Sequence, residues 1–201
     1  MGEEWLPIYL TSPIWRFVLS AGLAGPDVVA GVLMPSVDRV GRYFPFTLAA
    51  PLAGCSNPAA VPMTGADWFD KAEGLALSAL EDPFDFDAFD GEVGASAGPA
   101  YPGDGVPSHA YPSLNGLRLG FERQASVAAG FAPLINQQLL GLFPQYSIWW
   151  TVGSDETEPS LILCNGLPHI GGFAAFLDGR WQQWGWEGSD DPLQSAGSGI
   201  I

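Results

Sequence analysis

The chain has 201 residues, enough for one domain with a sizeable core. A hydrophobic share of 47%, with 8 Trp, 12 Phe and 5 Tyr, sets it apart from disordered chains. Seven basic residues against 22 acidic ones give a formal charge of -15, which repels DNA, RNA and anionic membrane alike and argues against a nucleic-acid partner.

No stretch approaches the roughly 20 apolar residues of a spanning helix. Residues 1–24 also lack a basic start followed by a clean apolar run, so the sequence reads as soluble and cytoplasmic. Cys55 and Cys164 lie far apart and belong to no Cys-x-x-Cys or Cys/His cluster; they read as reduced, buried thiols.

Residues 4–11 fit the end of a helix or an extended lead-in. After Pro13, residues 15–21 carry the β-branched and aromatic content of a strand. Residues 22–27 supply turn chemistry before a second strand at 28–34, and residues 43–50 make a third. Near-continuous hydrophobicity in these strands predicts a sheet covered on both faces. Thr64, with Asp67 three residues on, reads as the N-cap of a helix in which Trp68, Ala72, Leu75, Ala79 and Leu80 recur at helical spacing. Residues 82–117 are rich in Pro, Gly and acids with little periodicity, and read as a surface excursion or a segment holding one short helix. Helical spacing returns over 121–143, with Gly130 and Pro133 as a break or kink. A hairpin of strands at 146–152 and 161–164 follows, then a short helix over 169–177 ending at Gly179. The predicted fold is a single-domain α/β, α-β-α sandwich of about five mainly antiparallel strands with helices on both faces, loosely longin-like. It spans residues 1–187, with the acidic insert at 82–117 and a fraying tail at 188–201.

Between the second and third strands lies Met34-Pro35-Ser36-Val37-Asp38-Arg39-Val40-Gly41-Arg42-Tyr43-Phe44-Pro45-Phe46, a polar connection set between apolar flanks. Loops at sheet ends are where functional groups often sit. In a helical turn Asp38 and Arg42 would meet; in an extended loop Asp38 would hold Arg39 or Arg42 against backbone carbonyls. One reading is an ion pair that locks strand to strand, with Gly41 at positive φ. The other has Arg39 or Arg42 exposed to recognise a partner's carboxylate or carbonyl groups.

With Ser12-Pro13-Ile14-Trp15-Arg16-Phe17 and Gly31-Val32-Leu33, the stretch from Pro35 to Pro45 resembles the pattern of the TagF family of type VI secretion-associated proteins. Ser147-Ile148-Trp149-Trp150-Thr151 with Gly153-Ser154, and Gly166-Leu167-Pro168 with Phe173, resemble the same family's C-terminal half. The resemblance runs from about residue 5 to about residue 180. The chain lacks the Gly-x-x-Gly-Lys-Leu-Pro-x-x-Gly-Asp-Phe segment with which family members usually begin, so either its start is truncated or this member is without that edge element. The resemblance implies a cytoplasmic accessory protein that represses assembly or firing of the type VI apparatus after translation, acting through the system's forkhead-associated scaffold protein. Some relatives are fused to a metal-dependent phosphatase domain, whose length and paired acidic motifs this sequence does not have. The expected partner surface is Ser36, Asp38, Arg39, Gly41, Arg42, Phe44 and Pro45, joined by Leu167 and Pro168.

Other candidates for chemistry are weaker. Asp85-Phe86-Asp87-Ala88-Phe89-Asp90-Gly91 misses the EF-hand spacing by one residue and reads better as a solvated helix with Phe84, Phe86 and Phe89 turned inward, or as a docking strip. His109 and His169, the only histidines, have no metal-ligand spacing around them. Neither a nucleophile elbow nor a phosphate-binding loop is present. No metal or other cofactor is therefore expected, and binding is expected in place of catalysis. Trp149 and Trp150, adjacent on a strand, should point to opposite faces. Trp181, Trp184 and Trp186 fit either an exposed interface cluster or a flap over the core. Two other classes remain open: a structural component of the secretion assembly, and an enzyme in which Asp38 meets His109 or His169 only in three dimensions.

Overall fold

The computed structural model describes residues 5–38, 40–101, 109–113, 116–120 and 127–186, with side chains for those outside 102–130. The expectation for the tail at 188–201 lies outside these residues. Chain order is α1 (Trp5–Leu10), β1 (Trp15–Leu19), β2 (Val28–Val37), β3 (Tyr43–Leu52), α2 (Val61–Thr64), α3 (Ala66–Ser78), α4 (Phe86–Gly94), β4 (His109–Ser113), β5 (Gly116–Gly120), α5 (Val127–Leu142), β6 (Tyr146–Thr151), β7 (Ser160–Asn165) and α6 (Ala175–Asp178).

Five strands form one sheet in the order β3-β2-β1-β6-β7, and every neighbouring pair is antiparallel. The five expected strands are these five. β4 and β5 make a separate two-stranded hairpin. Since side chains alternate along a strand, the registers divide the sheet into two faces. One face carries Val18, Val28, Ala30, Val32, Met34, Leu52, Tyr146 and Ile148, packed under Phe69, Ala72 and Ala76 of α3, Val61 of α2 and Leu139 of α5. The other carries Trp15, Phe17, Leu19, Trp149, Ile162 and Cys164 beneath Phe176 of α6, with Phe173, Trp181 and Trp186 against them. Trp149 and Trp150 do split between the faces. The three C-terminal tryptophans are partly buried: Trp181 and Trp186 close the second face, and the Trp184 indole N–H donates to Asp178 at 2.8 Å.

The two layers are unequal. The first face has α2, α3 and α5 over it, whereas among the described residues the second has only the four-residue α6, the 3-10 turn Trp181–Trp184 and α1 at one end. On that second face Tyr43, Pro45, Thr47, Ala49 and Pro51 of β3 remain exposed.

Several local expectations change. Thr64 does not cap α3; it ends α2, where its hydroxyl donates to the Ala60 and Ala100 carbonyls, and Gly65 precedes α3. α3 stops at Ser78, leaving Leu80 exposed, and its largest fully buried side chain is Phe69. α5 runs through Pro133 without ending, although a proline seven residues into a helix leaves one i→i−4 hydrogen bond of the ladder unmade. The insert at 82–117 holds α4, capped by the Asp85 carboxylate accepting from Ala88 N–H at 3.0 Å, together with β4 and the start of β5. Phe84 and Phe89 turn toward each other, but Phe86 is exposed.

Arg16 ties the first layer to the sheet. Its Nε donates to Glu73 at 2.6 Å and its Nη2 to Asp70 at 2.7 Å. The guanidinium lies 5.9 Å from the centre of the Phe69 ring. The Glu73 hydrogen bond, opposed by burial and helped by Asp70, holds Arg16 even more firmly protonated than usual.

Candidate functional site: the tip of the β2–β3 hairpin

β2 and β3 pair along ten residues each, from Val28 opposite Leu52 to Val37 opposite Tyr43, and project beyond β1. One further rung, Asp38 N–H to Arg42 O at 3.0 Å, closes a three-residue loop. Gly41 N–H donates to Asp38 O at 3.0 Å, and Gly41 takes φ +79. A left-handed glycine at the last loop position is what a three-residue hairpin loop requires.

The Asp38 side chain organises the tip. Its Oδ1 accepts from Val40 N–H at 3.0 Å and Arg42 N–H at 2.8 Å, and its Oδ2 accepts from Arg42 Nε at 2.6 Å. The hydrogen bond from the Arg42 backbone first, opposed by desolvation and helped by the Arg42 side chain and the Val40 backbone, holds this carboxyl below its ordinary value. Arg42 is 77% exposed while Asp38 is 19% exposed. The aspartate is thus the fixed base, and the guanidinium is presented outward.

An apolar collar surrounds this charge. Val40, Tyr43 and Phe44 are exposed at the tip. Trp5 meets Tyr43 edge-on at 5.4 Å and Tyr9 at 5.7 Å. The collar is anchored from within, because the Tyr9 hydroxyl donates to Ser36 O at 3.2 Å and accepts from Ser36 N–H at 3.0 Å. Sequence reasoning missed α1 as part of this site. The available signal was Trp5 and Tyr9 four residues apart, one helical turn, just before the first strand.

The expected site residues therefore fall into groups. Asp38, Gly41, Arg42, Phe44 and Pro45 share the hairpin end; Ser36 is buried, with its hydroxyl donating to Phe44 O at 2.9 Å, and supports the hairpin from inside. Arg39 lies outside the described residues. Leu167 and Pro168 are elsewhere: they follow β7, at the sheet end where β6 begins, whereas the hairpin tip stands beyond the N-terminal end of β1. With Trp149, Ile170, Phe173 and Leu177 they line a shallow apolar hollow of about 430 Å³. His169 belongs to that same end, its Nδ1 accepting from Gly171 N–H, so it does not meet Asp38. The side chain of His109 is outside the described residues.

Residues 1–95 match the model of the TagF N-terminal domain, type VI secretion system-associated. The crystal structure of PA0076 from Pseudomonas aeruginosa PAO1 is similar to this chain at 35% identity and a TM-score of 0.71, over 96% of this chain and 79% of that one. The chain belongs to the TagF family. Among curated proteins, none matches. The TagF assignment makes this a type VI secretion-associated protein, and the family match includes α1, the β2–β3 hairpin and α3 in one continuous block. Among the described residues no helix is long and apolar enough to cross a membrane.

Proposed function

We propose that this TagF protein is a cytoplasmic, post-translational negative regulator of type VI secretion assembly and firing, and that it acts by binding the system's forkhead-associated scaffold protein. It works as a binding module and not as an enzyme. The observation that carries the reading is the hairpin tip: an outward guanidinium fixed by Asp38 within a collar of Val40, Tyr43, Phe44 and Trp5. A pre-ordered arginine flanked by aromatics loses little freedom on docking and resembles the anchors that dominate protein interfaces. The formal charge of -15 favours a partner surface with basic character around that contact.

The test is calorimetric titration of the purified protein into purified scaffold, unphosphorylated and threonine-phosphorylated in turn. Binding that weakens at least about tenfold in Arg42→Ala, with an unchanged melting temperature, supports the reading. Absence of binding to both scaffold forms, or full binding by folded Arg42→Ala together with Phe44→Ala, overturns it. Co-sedimentation with the assembled apparatus in place of scaffold binding would assign the protein to the structure of the machine.

A further inference from the structure

The two edges of the sheet are built differently. In β3, the alternation followed from the Ser20 N–H to Tyr146 O rung through the registers of β1 and β2 turns the backbone groups of Tyr43, Pro45, Thr47, Ala49 and Pro51 away from β2. Two of those five positions are prolines with no N–H to offer, a common way to blunt an edge. In β7, Gly166 N–H donates to Gln145 O at 2.8 Å and Tyr146 O accepts from Ser20 N–H at 3.0 Å. With Tyr146 opposite Asn165, this alternation turns the N–H and C=O groups of Leu161, Leu163 and Asn165 outward. Among the described residues no strand pairs with that side. Ser160–Asn165 contains no proline and no charge.

A groove of about 790 Å³ runs along this edge on the second face, with Arg180, Trp181, Gln182, Gln183 and Trp186 as its far wall. On the first face Leu161 and Leu163 stand exposed beside the same edge. At the N-terminal end of β7 the loop from β6 presents Asp155, Glu156 and Glu158, all exposed.

We propose that the β7 edge is a docking site for an extended segment of a partner protein, which adds to the sheet as a sixth strand and carries a basic residue toward the acidic β6–β7 loop. The backbone of Leu161, Leu163 and Asn165 supplies the ladder. Apolar side chains of the incoming strand lie on Leu161 and Leu163 on one face and against Trp181 and Trp186 on the other, the arrangement used in strand addition. A second copy is a poor occupant, because self-pairing brings together two chains that each carry -15. This site is separate from the hairpin tip and does not rest on the function proposed above.

The probe is the heptapeptide Lys-Val-Val-Thr-Val-Val-Lys, which puts valines on both faces of an added strand, with a Glu-flanked counterpart and a version N-methylated at alternate residues in either register. Amide exchange is followed by NMR on the full chain. Saturating basic peptide should slow exchange of the Leu161, Leu163 and Asn165 amides at least about tenfold, while the Glu-flanked and N-methylated peptides should not. Leu163→Pro removes one outward N–H, as Pro45 and Pro51 do in β3, and should abolish that protection with the melting temperature retained; Arg42→Ala should leave it intact. The N-methylated peptides test the ladder on the unaltered chain if Leu163→Pro does not fold. The proposal is overturned if the basic peptide gives no protection, or if N-methylation in both registers leaves protection unchanged. Protection that grows with protein concentration alone would assign the edge to a second copy and overturn it equally.

Discussion

Removing the Arg16 guanidinium tests whether the Arg16-Phe17 pair of the TagF pattern is a folding device. Arg16 is 13% exposed and Glu73 21%, whereas Asp70 is 67% exposed. Two unit charges about 4 Å apart attract by about 4 kcal/mol at an effective dielectric of 20 and about 1 kcal/mol in bulk water. The Glu73 pair sits nearer the first limit, and desolvation cancels a large part of it, leaving a coupling of about 1–2 kcal/mol. The Asp70 pair sits near the second, and its coupling should stay below about 0.5 kcal/mol. Arg16→Met keeps the aliphatic stem but leaves Glu73 unpaired and removes the cation from the face of Phe69, so it should cost about 2–3 kcal/mol in total. The assay is urea denaturation of two double-mutant cycles, Arg16→Met with Glu73→Gln and Arg16→Met with Asp70→Asn, at about 0.05 and about 0.5 M salt. Salt should erase the Asp70 coupling and spare most of the Glu73 coupling. A Glu73 coupling no larger than that of Asp70, or one that vanishes in salt, would refute the argument.

Gly31 lies where an added Cβ would sit 2.5 Å from both Leu48 O and Phe17 Cζ; Gly31→Ala should cost about 2–3 kcal/mol in chemical denaturation, and Phe17→Leu should restore only part, since the carbonyl cannot retreat. Thr157 buries a hydroxyl with no hydrogen-bond partner among the described residues, so Thr157→Val should raise stability by about 1 kcal/mol, read from the urea midpoint. Burial pushes the Cys164 thiol up to about 11 and raises the Tyr146 phenol as well. Both groups bind their proton more tightly when folded, so the stability they contribute is complete below their unfolded values and is lost as pH rises from about 9 through about 11. The urea midpoint should fall across that window, less steeply in Cys164→Ala, and at neutral pH Cys164 should resist thiol reagents until the chain unfolds. Asp38 is shifted the other way; the order it lends the tip is present above the ordinary carboxylate range and is lost as pH falls through its lowered value, so the Val40 and Arg42 amides should lose exchange protection in acid, while Asp38→Asn should lose it already at neutral pH.

The sheet was legible because its strands obey simple rules. Residues 15–21, 28–34, 43–50, 146–152 and 161–164 are apolar runs bounded by turn residues, and each overlaps one strand of the sheet, three of the strands running on past the expected bounds. Adjacent Trp149 and Trp150 had to face opposite ways in any strand. Caps and helix ends were less legible, because they are decided by tertiary contacts. Thr64 has the chemistry of an N-cap, yet the Ala100 carbonyl claims its hydroxyl. Ala79 and Leu80 keep the helical spacing after α3 has stopped. Phe69 is fully buried because Arg16 and Trp150 lie against it, and neither neighbour is visible from the local pattern. The hairpin site was half legible. Gly41 and the Asp38–Arg42 spacing announce a tight loop, but only the registers show that Leu167 and Pro168 belong to the other end of the sheet.

The residues that carry the family resemblance divide by depth. Trp15, Phe17, Gly31 and Val32 are buried, and Ser36 is fastened to Tyr9 and Phe44, so these positions answer to packing. Asp38 and Gly41 answer to loop geometry. Arg42 is different, because its 77% exposure means that neither the core nor the loop needs its outer nitrogens. A lysine there could meet the Asp38 charge equally well, but it could not hold a carboxylate through Nε while presenting the planar end of the group to a second partner. Arg42→Lys is therefore the substitution that separates the two roles: stability unchanged would show that the fold asks only for a cation, and any loss of scaffold binding would then belong to the guanidinium itself.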